Sequence, residues 1–177
     1  MHRLFVAARP PGPIRRQLLG LMDGIAEARW QDDDQIHITL RFIGEVDGRM
    51  AEDIALALLA VRHSPIETAI AGIGTFDRKG RIDALWAGLA PADALAGLHR
   101  KIDHTLVRLG LPPEGRAYHP HVTLARFSRK GGDVSHFAAI HAGLVSPHFR
   151  IDSFGLYESR RGSAGAQYEQ VAGYDLG

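Results

Sequence analysis

The sequence predicts an α+β domain built on a hidden internal repeat. Two segments share one grammar, His37-Ile38-Thr39-Leu40 and His121-Val122-Thr123-Leu124, and start 84 positions apart. Around each, the apolar periodicities spell the same order: helix, His-Thr strand, helix, strand pair. The chain has 177 residues, 45% of them apolar and 23% charged, which suits one ordinary core across residues 1–177.

The elements follow in order. Leu4-Phe5-Val6-Ala7-Ala8 reads as a strand, stopped by Pro10, Pro11 and Pro13. A helix is expected over about 14–28, its apolar face made by Leu18, Leu19, Leu21, Met22 and Ile25. Asp32-Asp33-Asp34 reads as a solvated loop, because consecutive carboxylates cannot all face one ion as ligands spaced by two can. The first His-Thr strand covers about 36–43. Gly44 ends it, and Asp47 is a suitable N-cap for a helix over about 49–62. A strand over 66–73, a turn over 75–80 and a strand over 82–89 follow. Leu95, Leu98, Ile102, Leu106 and Leu109 mark one face of a helix over 92–109. His99 and His104 on that helix are read as solvated or capping. Gly110 to Gly115 is a hinge-like loop before the second His-Thr strand at 118–127. A short helix near 133–142 and a hairpin of strands 149–158 and 168–174 complete the chain.

Composition removes several classes of function. With no cysteine there are no disulfides, thiolate nucleophiles or Cys-based zinc sites. A net charge of +1 gives no overall field toward nucleic acid, so an anionic substrate must be held by local groups. The apolar run Leu4–Ala8 is too short for a signal segment, and Ile54–Val61 is too short for a membrane span. A cytoplasmic protein without membrane association is the expectation. No Gly-x-Ser-x-Gly occurs, nor a phosphate loop ending in Gly-Lys-Ser/Thr. His119-Pro120-His121 has a spacing able to ligate a metal on a strand. No further Asp or His follows close by, and Pro120 restricts the strand, so neither metal nor cofactor is expected.

What remains is the pair of tetrads. Side chains alternate across a strand, so each histidine shares a face with the threonine two residues on. If two similar lobes pack about a pseudo-two-fold axis, the two strands face each other across a cleft. Two opposed imidazoles suit displacement at phosphorus, one taking a proton from the nucleophile and one giving a proton to the leaving oxygen. The hydroxyls of Thr39 and Thr123 can donate to non-bridging oxygens. An arginine would neutralise developing charge. Alternation puts Arg41 on the cleft face and Arg126 on the far face, unless a bulge near Ala125 turns the strand. Spacing alone leaves that choice open.

With these residues in view, the chain resembles the 2H phosphoesterase superfamily, and within it the RNA 2′,3′-cyclic phosphodiesterases once described as 2′-5′ RNA ligases. Beside the tetrads, the resemblance rests on Arg3-Leu-Phe-Val-Ala7, Arg29-Trp30, Arg41-Phe-Ile-Gly-Glu-Val46, Gly72-Ile-Gly-Thr-Phe76, Leu85-Trp86, His119-Pro120, Ala125-Arg126, Leu156-Tyr-Glu-Ser159 and Tyr168-Glu169. It implies a bilobal α+β fold, two pseudo-two-fold-related lobes of antiparallel sheet plus helices around a central cleft. It implies metal-independent opening of a terminal RNA 2′,3′-cyclic phosphate to a 2′-phosphomonoester. By resemblance His37 is the proton donor, His121 the proton acceptor, and Thr39, Thr123 and Arg126 hold the phosphate. The expected partner is an RNA end, such as a tRNA fragment, or a cyclic nucleotide, met by a monomer. Hydrolysis of a small cyclic nucleotide, reversible 2′-5′ ligation and a non-catalytic RNA-binding module are the alternatives. A long substrate would need a basic path, with candidates at Arg78, Lys79 and Arg81, at Arg129 and Lys130, and at Arg160 and Arg161.

Overall fold

A computed structural model describes residues 1–177. In chain order the elements are β1 (His2–Ala8), α1 (Gly12–Leu19), β2 (Arg29–Trp30), β3 (Ile38–Val46), α2 (Gly48–Ala57), β4 (Ile66–Arg78), β5 (Arg81–Ala90), α3 (Asp93–Arg108), β6 (His121–Arg126), α4 (Ser135–His141), β7 (Phe149–Ile151), β8 (Ser153–Gly162) and β9 (Gly165–Asp175). The class is α+β and every strand pairing is antiparallel.

One hydrogen-bonded path runs β7-β4-β5-β6-β3-β1-β8-β9, with β2 added on β6. Its middle is the β6–β3 junction, so three strands of the path lie beyond each of the two His-Thr strands. The motif strands therefore stand side by side in one sheet, where the sequence suggested strands facing each other across a gap. They touch at a single ladder pair, Ile38 with Val122. Beyond it β2 replaces β3 along β6, pairing Trp30 with Ala125 and Arg29 with Arg126.

Ile38, Leu40, Val122 and Leu124 are fully buried in a core shared with Leu95, Leu98, Ile102 and Leu106 of α3. That helix packs on β3 and β4. Each such side chain contributes about 1.5–3 kcal/mol when fully withdrawn from water. The intervening motif residues, Thr39, His121 and Thr123, are half-buried. Alternation thus sends the aliphatics to the helices and the polar groups to the other face.

Four elements depart from expectation. The strand expected over 149–158 divides at Asp152 into β7, which pairs with β4, and β8, which pairs with β1. Helix α1 stops at Leu19, because Gly20 and then Asp23-Gly24, with Gly24 at φ 87°, break it. Residues 75–78 are strand rather than turn, and the turn is confined to 79–80. Lys79 at φ 51° and Gly80 at φ 75° close a two-residue hairpin, which lets β4 and β5 pair out to Arg78 and Arg81. The fourth is Asp32-Asp33-Asp34. Asp32 caps a 3₁₀ turn over Asp33–Gln35 by a reciprocal capping box, and Asp33 pairs with Arg15 at 2.8 Å.

Candidate active site

The Ile38–Val122 pair is antiparallel, so the register continued one residue each way sets His37 opposite Thr123 and Thr39 opposite His121. Four chemistry-bearing side chains are thereby collected on one face of two strands.

Both imidazoles are anchored alike. His37 Nδ1 lies 2.6 Å from the Gln35 carbonyl oxygen, and His121 Nδ1 lies 2.7 Å from that of His119. A carbonyl only accepts, so Nδ1 carries the hydrogen in each ring and Nε2 is left for chemistry. His37 Nε2 lies 3.0 Å from Thr39 Oγ1. Burial pushes the His37 imidazole down to about 4; the Gln35 carbonyl opposes that shift, and the charges of Arg126, His121 and Arg9 add to it. Burial also lowers His121, opposed by the His119 carbonyl and assisted by the charges of His119 and Arg126. Arg126 is therefore the one guanidinium whose field reaches both imidazoles.

Aromatic rings wall each histidine. Phe5 stands 5.1 Å and Tyr168 5.2 Å from His37, centroid to centroid. Phe76 stands 4.9 Å and Trp86 6.0 Å from His121. The Trp86 indole lies against its cross-strand partner Gly74, where a Cβ would fall 2.3 Å from the ring. Only glycine admits that approach.

Bulges decide which face each arginine takes. In β6 the pairing with β5 slips between Thr123 and Ala125, so Leu124 is the extra residue and both Leu124 and Ala125 are fully buried. The flip returns Arg126 to the His121 face. In β3 the pairing with β1 slips at Leu40, and both Leu40 and Arg41 are buried. Arg41 is thus turned away from the site, against the alternation argument. Its Nε donates to Asp103 Oδ1 of α3 at 2.7 Å, and its other nitrogens donate to the carbonyls of Phe42 and Pro112. By position in the repeat, Arg41 matches Ala125 and Phe42 matches Arg126.

The carbonyls at each bulge find partners elsewhere. Leu124 O accepts from Gln31 N at 2.9 Å. Thr39 O accepts from Tyr118 Oη at 2.9 Å, and Leu40 O from His99 Nδ1 at 2.6 Å. The His99 and Tyr118 rings stack at 4.2 Å, 4° from parallel. His99 is buried, not solvated, and it caps no helix. Its signal was in the sequence, since it falls between Leu95 and Ile102 on the buried stripe of α3. His104 is exposed.

A groove of about 650 Å3 opens beside His37. Phe5, Phe42 and Tyr168 line it with Arg3, Arg126 and Arg161, and no Asp or Glu does. No three His, Asp or Glu side chains gather as a metal ligand set, and His119 is exposed against Trp86. No helix is long and apolar enough to cross a membrane.

An antiparallel α+β sheet carrying a duplicated His-x-Thr pair at its midpoint, beside a cationic groove, is the class that fold and site define. The chain belongs to the 2′-5′ RNA ligase superfamily, whose family model matches residues 24–163. It is 36% identical over 115 residues to the RNA 2′,3′-cyclic phosphodiesterase of Aeropyrum pernix, covering 62% of this chain and 65% of that protein. It is 30% identical over 149 residues to the Geobacillus stearothermophilus protein of the same name, covering 83% of this chain and 47% of that one. The chain thus spans about two thirds and about half the length of these two relatives. The crystal structure of Escherichia coli LigT complexed with 3′-AMP is alike in fold, with a TM-score of 0.80 at 23% identity, over 99% of this chain and 98% of that one.

Proposed function

We propose that this chain, acting as one domain and as a monomer, opens terminal 2′,3′-cyclic phosphates on RNA to 2′-phosphomonoesters. The observation that carries the reading is the Ile38–Val122 register, which sets two imidazoles on one face with Nδ1 tied back and Nε2 turned to that face, that of His37 against the Thr39 hydroxyl. The relatives' names support the substrate class.

In this mechanism His121 Nε2 takes a proton from water as the water oxygen attacks phosphorus. The bond from phosphorus to the 3′-oxygen breaks in line. His37, protonated on Nε2, gives that proton to the departing oxygen. Thr39, Thr123 and Arg126 hold the non-bridging oxygens as charge builds on them. In the free protein His37 is neutral near pH 7, so the bound anion must help draw its proton in. The chemistry needs no group beyond this chain, because both proton carriers and the anion clamp are its own side chains.

The test is product analysis of an oligonucleotide ending in a 2′,3′-cyclic phosphate, beside a cyclic mononucleotide, with and without EDTA. A 2′-phosphate product from the oligonucleotide, unaffected by EDTA, is expected. Turnover of the mononucleotide alone would favour a small cyclic nucleotide. Tight binding without turnover would make this a binding module. Loss with EDTA, restored by a divalent ion, would overturn the metal-free route.

A further inference from the structure

The groove beside His37 holds more positive charge than one cyclic phosphate can neutralise. A cyclic phosphodiester carries a single negative charge, and Arg126, whose field reaches both imidazoles, answers it. Arg3 and Arg161 line the same groove, and no carboxylate lines it. Neither makes an ion pair, although Arg3 stands opposite Glu45 in the β1–β3 register.

Arg160 gives the contrast. On the same hairpin, one residue earlier, it is neutralised by Glu158 and Glu169, each at 3.2 Å. One arginine of the pair is compensated and the other faces the groove bare. Both side chains are exposed, so an incoming anion meets them without displacing an ion-pair partner.

The chemistry of the substrate says which anion. With His37 as the acid, the 3′-oxygen leaves on the His37 side, and C3′ lies on that side with it. C3′ is bonded to C4′, which carries C5′ and the phosphate of the preceding nucleotide. The upstream strand therefore leaves the site past His37, into the groove that Arg3 and Arg161 line. We infer that Arg3 and Arg161 form a second phosphate subsite, for the phosphate on the 5′ side of the terminal nucleotide, and that it makes the site prefer strand ends to lone cyclic nucleosides. This rests on the phosphodiesterase reading and on His37 as the acid.

The experiment compares three probes: a dinucleotide ending in a 2′,3′-cyclic phosphate, a 5′-phosphorylated nucleoside 2′,3′-cyclic phosphate, and the same nucleoside without the 5′-phosphate. Charge-assisted contacts to one more phosphate predict KM lower by about tenfold or more for the first two. Arg3→Gln and Arg161→Gln should each shrink that preference, and the double variant should nearly abolish it. Equal KM for all three in the unaltered protein would overturn the inference and leave the phosphodiesterase reading intact. A preference for the dinucleotide alone would also overturn it, since a nucleoside and not a phosphate would then be recognised. Calorimetric binding of the corresponding 2′-phosphate products needs no turnover. If no probe is hydrolysed and the arginine-dependent preference persists in binding, the subsite stands and the phosphodiesterase reading falls.

Discussion

His37 and His121 both titrate below an ordinary histidine, and this fixes a pH dependence. The reactive free form has one imidazole protonated and the other neutral. With His37 near 4 and His121 also lowered, that form peaks below pH 6.5 and declines on both sides. The kcat/KM profile should therefore be a bell with both limbs below 6.5, belonging to the pair rather than to either residue. The Arg126 charge depresses both groups, so Arg126→Ala should move the alkaline limb upward as well as slow the reaction. Initial rates well below KM, taken across pH 4–9, check this. An alkaline limb above 6.5 in the unaltered protein would contradict it.

Arg41 makes the residue-scale contrast. It is 6% exposed, and its partner Asp103 is held below the usual carboxylate range by Arg41 and the Glu114 amide against the opposing effect of burial. Arg41→Ala strands that carboxylate and two carbonyl oxygens, those of Phe42 and Pro112. It should lower stability by about 1–3 kcal/mol with little change in KM, whereas Arg126→Ala should raise KM and lower kcat with little change in stability. Thermal melts beside steady-state kinetics separate the two, and the opposite ranking would put Arg41 in the phosphate clamp.

At the scale of elements, the bulges decide what the site contains. Each motif strand inserts one residue directly after its threonine, Leu40 in β3 and Leu124 in β6. The Tyr118 hydroxyl and the His99 ring then hold the β3 bulge, fixing the backbone of Thr39. In the proposed mechanism Thr39→Val removes a hydrogen bond to a charged phosphoryl oxygen, worth about 1.5–3 kcal/mol, or about 10- to 150-fold in rate. Thr123→Val should act alike. Tyr118→Phe keeps the stacked ring and should slow the reaction through Thr39. In a Thr39→Val background it should then cost little more. Additive losses in the double variant would show that Tyr118 acts elsewhere.

The same elements mark what could be read from the chain alone. His37, Thr39, His121 and Thr123 were legible because period-two alternation and burial agree there. Arg126 was not legible from spacing, because Leu124-Ala125 and Leu40-Arg41 look like ordinary alternation until a slipped register buries both members of each. Helix α3 was legible from its leucine stripe. The end of α1 is not legible, since Leu21, Met22 and Ile25 pack on the core from a turn and mimic a continuing apolar face. The two-residue β2 has no period at all. Arg3, Phe42 and Tyr168 enter the site through the pairing of distant strands, which no local pattern records.

For the whole molecule, the sheet path places the two motifs at its midpoint and binds its halves there by one ladder pair. The buried neutral imidazoles carry a stability cost in acid. A folded pKa near 4 for His37, against about 6.5 when unfolded, means that the unfolded chain takes up its proton first. Stability is then fully present above pH 6.5 and is lost as pH falls toward 4. His121 adds in the same direction. Asp33, Asp103 and Glu158, all lowered, hold their contribution until pH falls through the carboxylate range. Tm should therefore decline in two stages, and His37→Gln should flatten the first. A Tm independent of pH between 6.5 and 4.5 would mean that the imidazoles are not buried in their neutral form.

Two imidazoles that divide acid and base work between them leave a kinetic signature. Each of His37→Ala and His121→Ala should cost about 10²–10⁴-fold, and the double variant should be little worse than the worse single. The most direct measurement uses a phosphodiester whose leaving group departs without protonation. On it His37→Ala should recover most of its activity, while His121→Ala, still lacking a base for water, should stay inactive. Recovery of His121→Ala in place of His37→Ala would reverse the roles, and recovery of neither, with flat pH profiles in both, would contradict the acid–base pair altogether.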